Sequence, residues 1–233
     1  MASSVLVIAS QYDEAARDLV AQWAPDGAAL CAPRDLSRPG WRYCLSDSNA
    51  STAVAGGTVI RRRDISGVLV RLFAIPPEEL QHIVPEDRCY VASEMTAFLT
   101  AWLSSLSCPI VNRPTAGSLS GPAWRPEQWT ATACRAGIPV MPRHRPASPP
   151  YGLADELEHP YLETTIAGDQ VFGTSDERLI GYAKRLASAA GATLLGLKFA
   201  RNHNDYQFVN ADTSPDLRTP GVAYAIKRHL VRT

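Results

Sequence analysis

The 233-residue chain has no surplus of charge, since 23 Lys and Arg balance 23 Asp and Glu. Nucleic acid and anionic membranes both reward clustered cations, so neither is expected as a partner. No apolar run approaches the roughly 20 residues that a bilayer span needs. No basic residue precedes Val5-Leu6-Val7-Ile8, so no secretory signal is expected either. Paired cysteines are also missing. Cys31, Cys44, Cys89, Cys108 and Cys134 are odd in number and form no C-x-x-C pair, which argues against a disulfide framework or zinc site and fits a reducing cytoplasm. No two histidines stand at i, i+4, and none neighbours a G-x-S-x-G serine. The segment Gly117 to Gly121 lacks the lysine and hydroxyl of a phosphate loop and reads as a flexible connection. The run Arg61-Arg62-Arg63 has no interleaved aromatic residue and reads as a solvated turn.

What remains is ordinary globular composition, 45% hydrophobic and 20% charged. Val5 to Ser10 reads as a buried parallel strand, and Asp13 to Trp23 as a helix with Ala16, Leu19, Val20 and Trp23 on one face. Ala28 to Leu36 and Ile65 to Leu72 read as further strands, while Trp41 to Ser66 fits hairpins or a long loop. Pro76 to Glu79 opens a short helix. Asp87 to Ser107 is the longest helical stretch, its wide apolar face formed by Tyr90, Val91, Met95, Phe98, Leu99, Trp102 and Leu106, and Cys108 to Pro114 is a strand. This alternation predicts an open α/β domain over 1–114 and an α+β unit over 115–233. In the second unit, Arg125 to Gly137 is a helix, Ile138 to Pro142 is extended, and Arg143 to Pro150 is a Pro-rich linker. Tyr161 to Thr174 is a hairpin, Asp176 to Ala190 a helix, Leu194 to Arg201 and Tyr206 to Ala211 are paired strands, and Pro220 to Leu230 is a terminal helix.

Three local patterns in this order resemble the ATP-grasp superfamily, specifically its RimK-type branch of peptide-maturing ligases. The first runs from Asn112-Arg113-Pro114 through Trp124-Arg125-Pro126-Glu127-Gln128-Trp129 to Ala136-Gly137-Ile138-Pro139-Val140-Met141-Pro142. The second is the hairpin from Tyr161 to Phe172, which turns at Gly168-Asp169. The third joins Leu195-Gly196-Leu197-Lys198-Phe199, similar to a metal-carboxylate strand, to Phe208 through Pro215, similar to the family's E-x-N-x-x-P strand. The resemblance implies a pre-ATP-grasp sheet domain followed by an ATP-grasp-like domain. It also implies ATP and magnesium as cofactors of an active member.

Four residues stand where the resemblance places function. Arg125 replaces a nucleotide-contacting lysine, Lys198 a metal-binding Asp and Asn210 a metal-binding Glu, while Asp212 replaces Asn. Thr164 and Thr165 offer no basic side chain near an acyl phosphate, and the 18 residues of 143–160 leave no room for the family's small nucleotide-clamping sheet, so a truncated second domain is expected. Magnesium prefers carboxylate and water oxygens, and an ammonium in its place repels it. The expectation is therefore a protein that has lost ATP- and Mg-dependent ligation, with no catalytic residue and no metal site. Arg125, Lys198, Asn210 and Asp212 remain as ligand- or anion-binding candidates. Its partner would be a peptide, a small acid, a second copy or an active ligase. Alternatives are an active carboxylate–amine or carboxylate–thiol ligase with a rearranged or shared site, or an unrelated α/β hydrolase or transferase. Lys198 also fits a plain ion pair with Asp212, and Trp124 and Trp129 fit packing better than a stacking platform.

Overall fold

The computed structural model describes residues 4–45, 50–142, 161–202 and 205–231. Its first half is built on a parallel sheet of order β2-β1-β5-β6, comprising β1 (Ser4–Ile8), β2 (Ala29–Cys31), β5 (Ile65–Val70) and β6 (Ile110–Val111). Covered on both sides, these strands are apolar apart from half-buried Ser4 and Ser66, as a parallel sheet favours. Leu6, Ile8, Val68 and Val70 face α2 (Arg88–Ser105) and the hairpin of β3 (Thr52–Ala55) and β4 (Thr58–Arg61). Val5, Val7 and Leu69 face the opposite way, toward α1 (Glu14–Trp23). The Asp13 carboxylate caps α1 by accepting from the Ala16 N–H at 3.0 Å.

The second half is an antiparallel sheet of order β10-β9-β7-β8, made of β7 (Tyr161–Ala167), β8 (Gln170–Phe172), β9 (Leu194–Asn202) and β10 (Asp205–Asp212). Helices α3 (Pro126–Arg135) and α4 (Glu177–Ala190) cover one face through Trp129, Ala133, Leu179, Ala183 and Leu186, packed on Leu195, Leu197, Phe199 and Phe208. Trp124 lies against the same cluster with its ring centroid 4.7 Å from that of Trp129, so both tryptophans serve packing.

The last helix, α5 (Val222–Leu230), returns to the first sheet. Val222, Ala225, Ile226 and Leu230 join Val5, Val7, Leu19, Trp23 and Leu69 in one buried cluster, which also takes in Ala167 and Leu194. Gly67 allows this approach, because a Cβ there would stand 2.7 Å from the Leu230 carbonyl oxygen. Asn112 ties the halves together. Its amide donates to the Leu194 carbonyl at 2.8 Å and accepts from the Thr193 and Leu194 N–H groups at 2.8 and 3.0 Å.

Several local expectations change. The β2 strand ends at Cys31 because Pro33 opens a 3-10 turn over Pro33–Ser37, and the Trp41 to Ser66 region contains the β3–β4 hairpin. Tyr90 is 68% exposed and does not join the apolar face of α2. Arg62 is not a solvated turn residue: its guanidinium donates to the Ser105 carbonyl at the C-terminus of α2. The Gly117 to Gly121 segment is not a loose connection, since Leu119 and Ser120 are fully buried and the Leu119 N–H donates to the Phe73 carbonyl at 2.9 Å. The expected Arg143 to Pro150 linker lies outside the described residues.

Candidate functional site

The face of the second sheet turned away from α3 and α4 carries the candidate site. Along β9, alternation sends Leu195, Leu197 and Phe199 to the helices and Gly196 and Lys198 to the other face. On β10 the same alternation would put Asn210 beside Phe208 in the core. A bulge prevents this. Phe208 lies opposite Phe199, but Asn210 lies opposite Lys198 and Asp212 opposite Gly196. The extra residue, Val209, turns Asn210 and Asp212 out of the core, which is what bulges beside sites commonly do. Glu163 and Thr165 of β7 lie opposite Lys198 and Gly196 on the same face. Together with Phe172, Gly173 and the loop residues Pro215, Asp216 and Thr219, these groups line a cavity of about 360 Å³.

Three of the four residues expected at the site, Lys198, Asn210 and Asp212, therefore line one cavity. Arg125 does not line it. It is exposed at the start of α3, where its backbone N–H donates to Gln128 Oε1 at 2.8 Å. The Lys198 ammonium lies 3.0 Å from Glu163 Oε1, and both side chains are more than half exposed. The expected pairing of Lys198 with Asp212 is not formed, because Asp212 faces Gly196 in register and its Oδ1 accepts from the Ser214 N–H at 2.5 Å. Asn210 Oδ1 is buried without a hydrogen-bond partner among the described residues. Asp216 accepts from Arg218 at 3.0 Å, and that hydrogen bond holds its carboxyl below the usual carboxylate range.

The loop that closes the cavity is anchored to the first sheet. Arg71, just past β5, donates from Nη1 to the Pro215 carbonyl at 3.1 Å and from Nε to Asp13 Oδ2 at 2.7 Å. Sequence reasoning missed Glu163, Asp216 and Arg71. Glu163 is found only from the strand register, and Arg71 only from contact with a residue 144 positions away. Among the described residues, no group of three or more His, Cys, Asp or Glu is placed to hold a metal ion. Nor is any described helix long and apolar enough to cross a membrane.

Compared by sequence, the chain matches no family model and no curated protein. Its fold is nevertheless that of the ATP-grasp ligases. It is similar to the macrocyclase MdnC of Microcystis aeruginosa MRC, solved with the precursor peptide MdnA, over 99% of this chain and 100% of that one (TM-score 0.71, 12% identity). It is similar as well to the ATP-grasp ligase PsnB complexed with a minimal precursor, Mg and ADP, over 98% of both chains (TM-score 0.67, 14% identity). A RimK domain ATP-grasp protein from Sphaerobacter thermophilus DSM 20745 matches over 98% of both chains at a TM-score of 0.53 and 14% identity. The expected ATP-grasp architecture thus agrees with the fold.

Proposed function

We propose that this ATP-grasp-fold chain has lost ATP- and Mg-dependent ligation and works as a peptide-binding protein, alone or beside an active ligase. The observation that carries this reading is the Lys198–Glu163 pair, 3.0 Å apart, with Asn210 in register beside it. Lys198 and Asn210 stand where the resemblance puts metal carboxylates. The residues present are a poor fit to magnesium. An ammonium occupies the face, Asn210 is neutral, and one oxygen of Asp212 is already committed to the Ser214 N–H. Magnesium needs near-octahedral oxygen ligation, usually from one or two carboxylates plus phosphates and water.

Phosphoryl transfer depends on positioning and charge neutralisation around the γ-phosphate. Each 1.36 kcal/mol of stabilisation lost costs about tenfold in rate. Arg125, away from the cavity, does not supply the missing cation there. A peptide ligand is favoured because MdnC and PsnB were solved with the precursor peptides MdnA and PsnA2 and this chain has an open cavity on a similar fold.

A thermal-shift and phosphate-release assay with ATP and magnesium tests this reading. Neither a rise in Tm nor phosphate release is expected. A rise of several degrees with turnover would instead favour an active ligase with a rearranged site. Arg125→Ala, Lys198→Ala and Asp212→Ala would then identify the residues responsible.

A further inference from the structure

We infer that the cavity is selective for an organic monocation, a primary ammonium or guanidinium carried on a peptide, held by Asp212. The inference rests on the peptide-binding reading above and names the chemistry of its ligand.

Charge accounting around the cavity carries it. Glu163 is paired with Lys198 at 3.0 Å, and Asp216 with Arg218 at 3.0 Å. Arg71, which anchors the same loop, is paired with Asp13 at 2.7 Å. Asp212 alone among the cavity carboxylates has no cationic partner among the described residues. Among the described residues its side chain accepts one hydrogen bond, from the Ser214 N–H to Oδ1, and none of them donates to Oδ2. One uncompensated negative charge in a partly enclosed space matches one positive charge on a ligand, and it repels a free small acid.

The walls suit the same class of ligand. Phe172, Ala211 and Pro215 give the cavity an apolar lining, against which the methylenes of a lysine or arginine side chain can lie while its charged end reaches a carboxylate. Gly196, opposite Asp212 in register, adds no side chain to this floor. A divalent metal finds one open carboxylate here, whereas an ammonium needs only that one and brings its own donors.

The test is an amide-shift titration of the ¹⁵N-labelled full chain with three acetylated, amidated pentapeptides, Gly-Gly-X-Gly-Gly, where X is lysine, norleucine or glutamate. Succinate and MgATP are titrated separately. The lysine peptide is expected to give saturable shifts around residues 196–198 and 210–212, and the norleucine peptide, the glutamate peptide and succinate are not. Asp212→Asn keeps the oxygen that accepts from Ser214 and is expected to weaken the lysine peptide at least tenfold. Equal shifts with norleucine, binding of succinate in place of lysine, no shifts at all, or undiminished affinity in Asp212→Asn would each overturn the inference. Failure of the parent reading is separately visible, as MgATP shifts at the same amides in the wild-type chain.

Discussion

Asn112 shows how much one side chain does in this fold. It is 2% exposed and makes three hydrogen bonds of 3.0 Å or less to residues 193 and 194, across the junction of the two sheets. Asn112→Ala leaves those backbone groups without partners where little water reaches. A buried unsatisfied group costs about 1–3 kcal/mol. The expected loss is on the order of 3 kcal/mol in urea unfolding. Cys31 is the second residue with a clear consequence. Burial, aided by the Asp35 carboxylate, pushes its thiol well above the ordinary range. Its folded pKa lies above the unfolded value, so the neutral thiol stabilises the fold below about pH 8.5. That contribution is lost as pH rises further, because the unfolded chain ionises first. Thiol titration at pH 8 should therefore label exposed Cys89 and Cys134 in the native protein and leave Cys31 unlabelled until denaturant is added.

At the scale of elements, what was readable in the sequence was mostly local. Helix α4 announces itself through Asp176, whose carboxylate accepts from the Arg178 N–H at 2.9 Å, and through Gly191 in the left-handed region at φ 62°. Helix α3 likewise begins at Pro126 and is followed by Gly137. What could not be read depends on partners far along the chain. Nothing near Val209 signals the bulge that sends Asn210 and Asp212 into the cavity, because the bulge exists only relative to β9. The choice of Glu163 over Asp212 as partner of Lys198 is likewise a matter of register. So is the docking of α5 on the first sheet, which turns on the absence of a side chain at Gly67. Gly67→Ala would press a methyl group into the Leu230 backbone. Overpacking of this kind costs about 1–3 kcal/mol, with earlier proteolysis at α5 as the expected sign. Arg62→Ala should cost less, roughly 0.5–1 kcal/mol, by uncapping the last turn of α2.

Across the whole molecule, the chain has the fold of the ATP-grasp ligases, and its cavity face carries Lys198 and Asn210 where the resemblance would put metal carboxylates. The two sheets stay locked by Asn112, by Arg71 and by α5, whose Lys227 and Arg228 reach Asp26 in the first half and Asp169 in the second. A binding protein can use such a rigid frame as readily as a ligase can. The most direct measurement is a calorimetric titration of ATP with excess magnesium into the wild-type chain and into the double variant Lys198→Asp, Asn210→Glu, which places carboxylates at both positions of the cavity face. The wild-type chain should give no saturable heat, and the double variant should gain magnesium-dependent binding of nucleotide. Micromolar, magnesium-dependent binding of ATP by the wild-type chain would contradict the proposed loss of ligation.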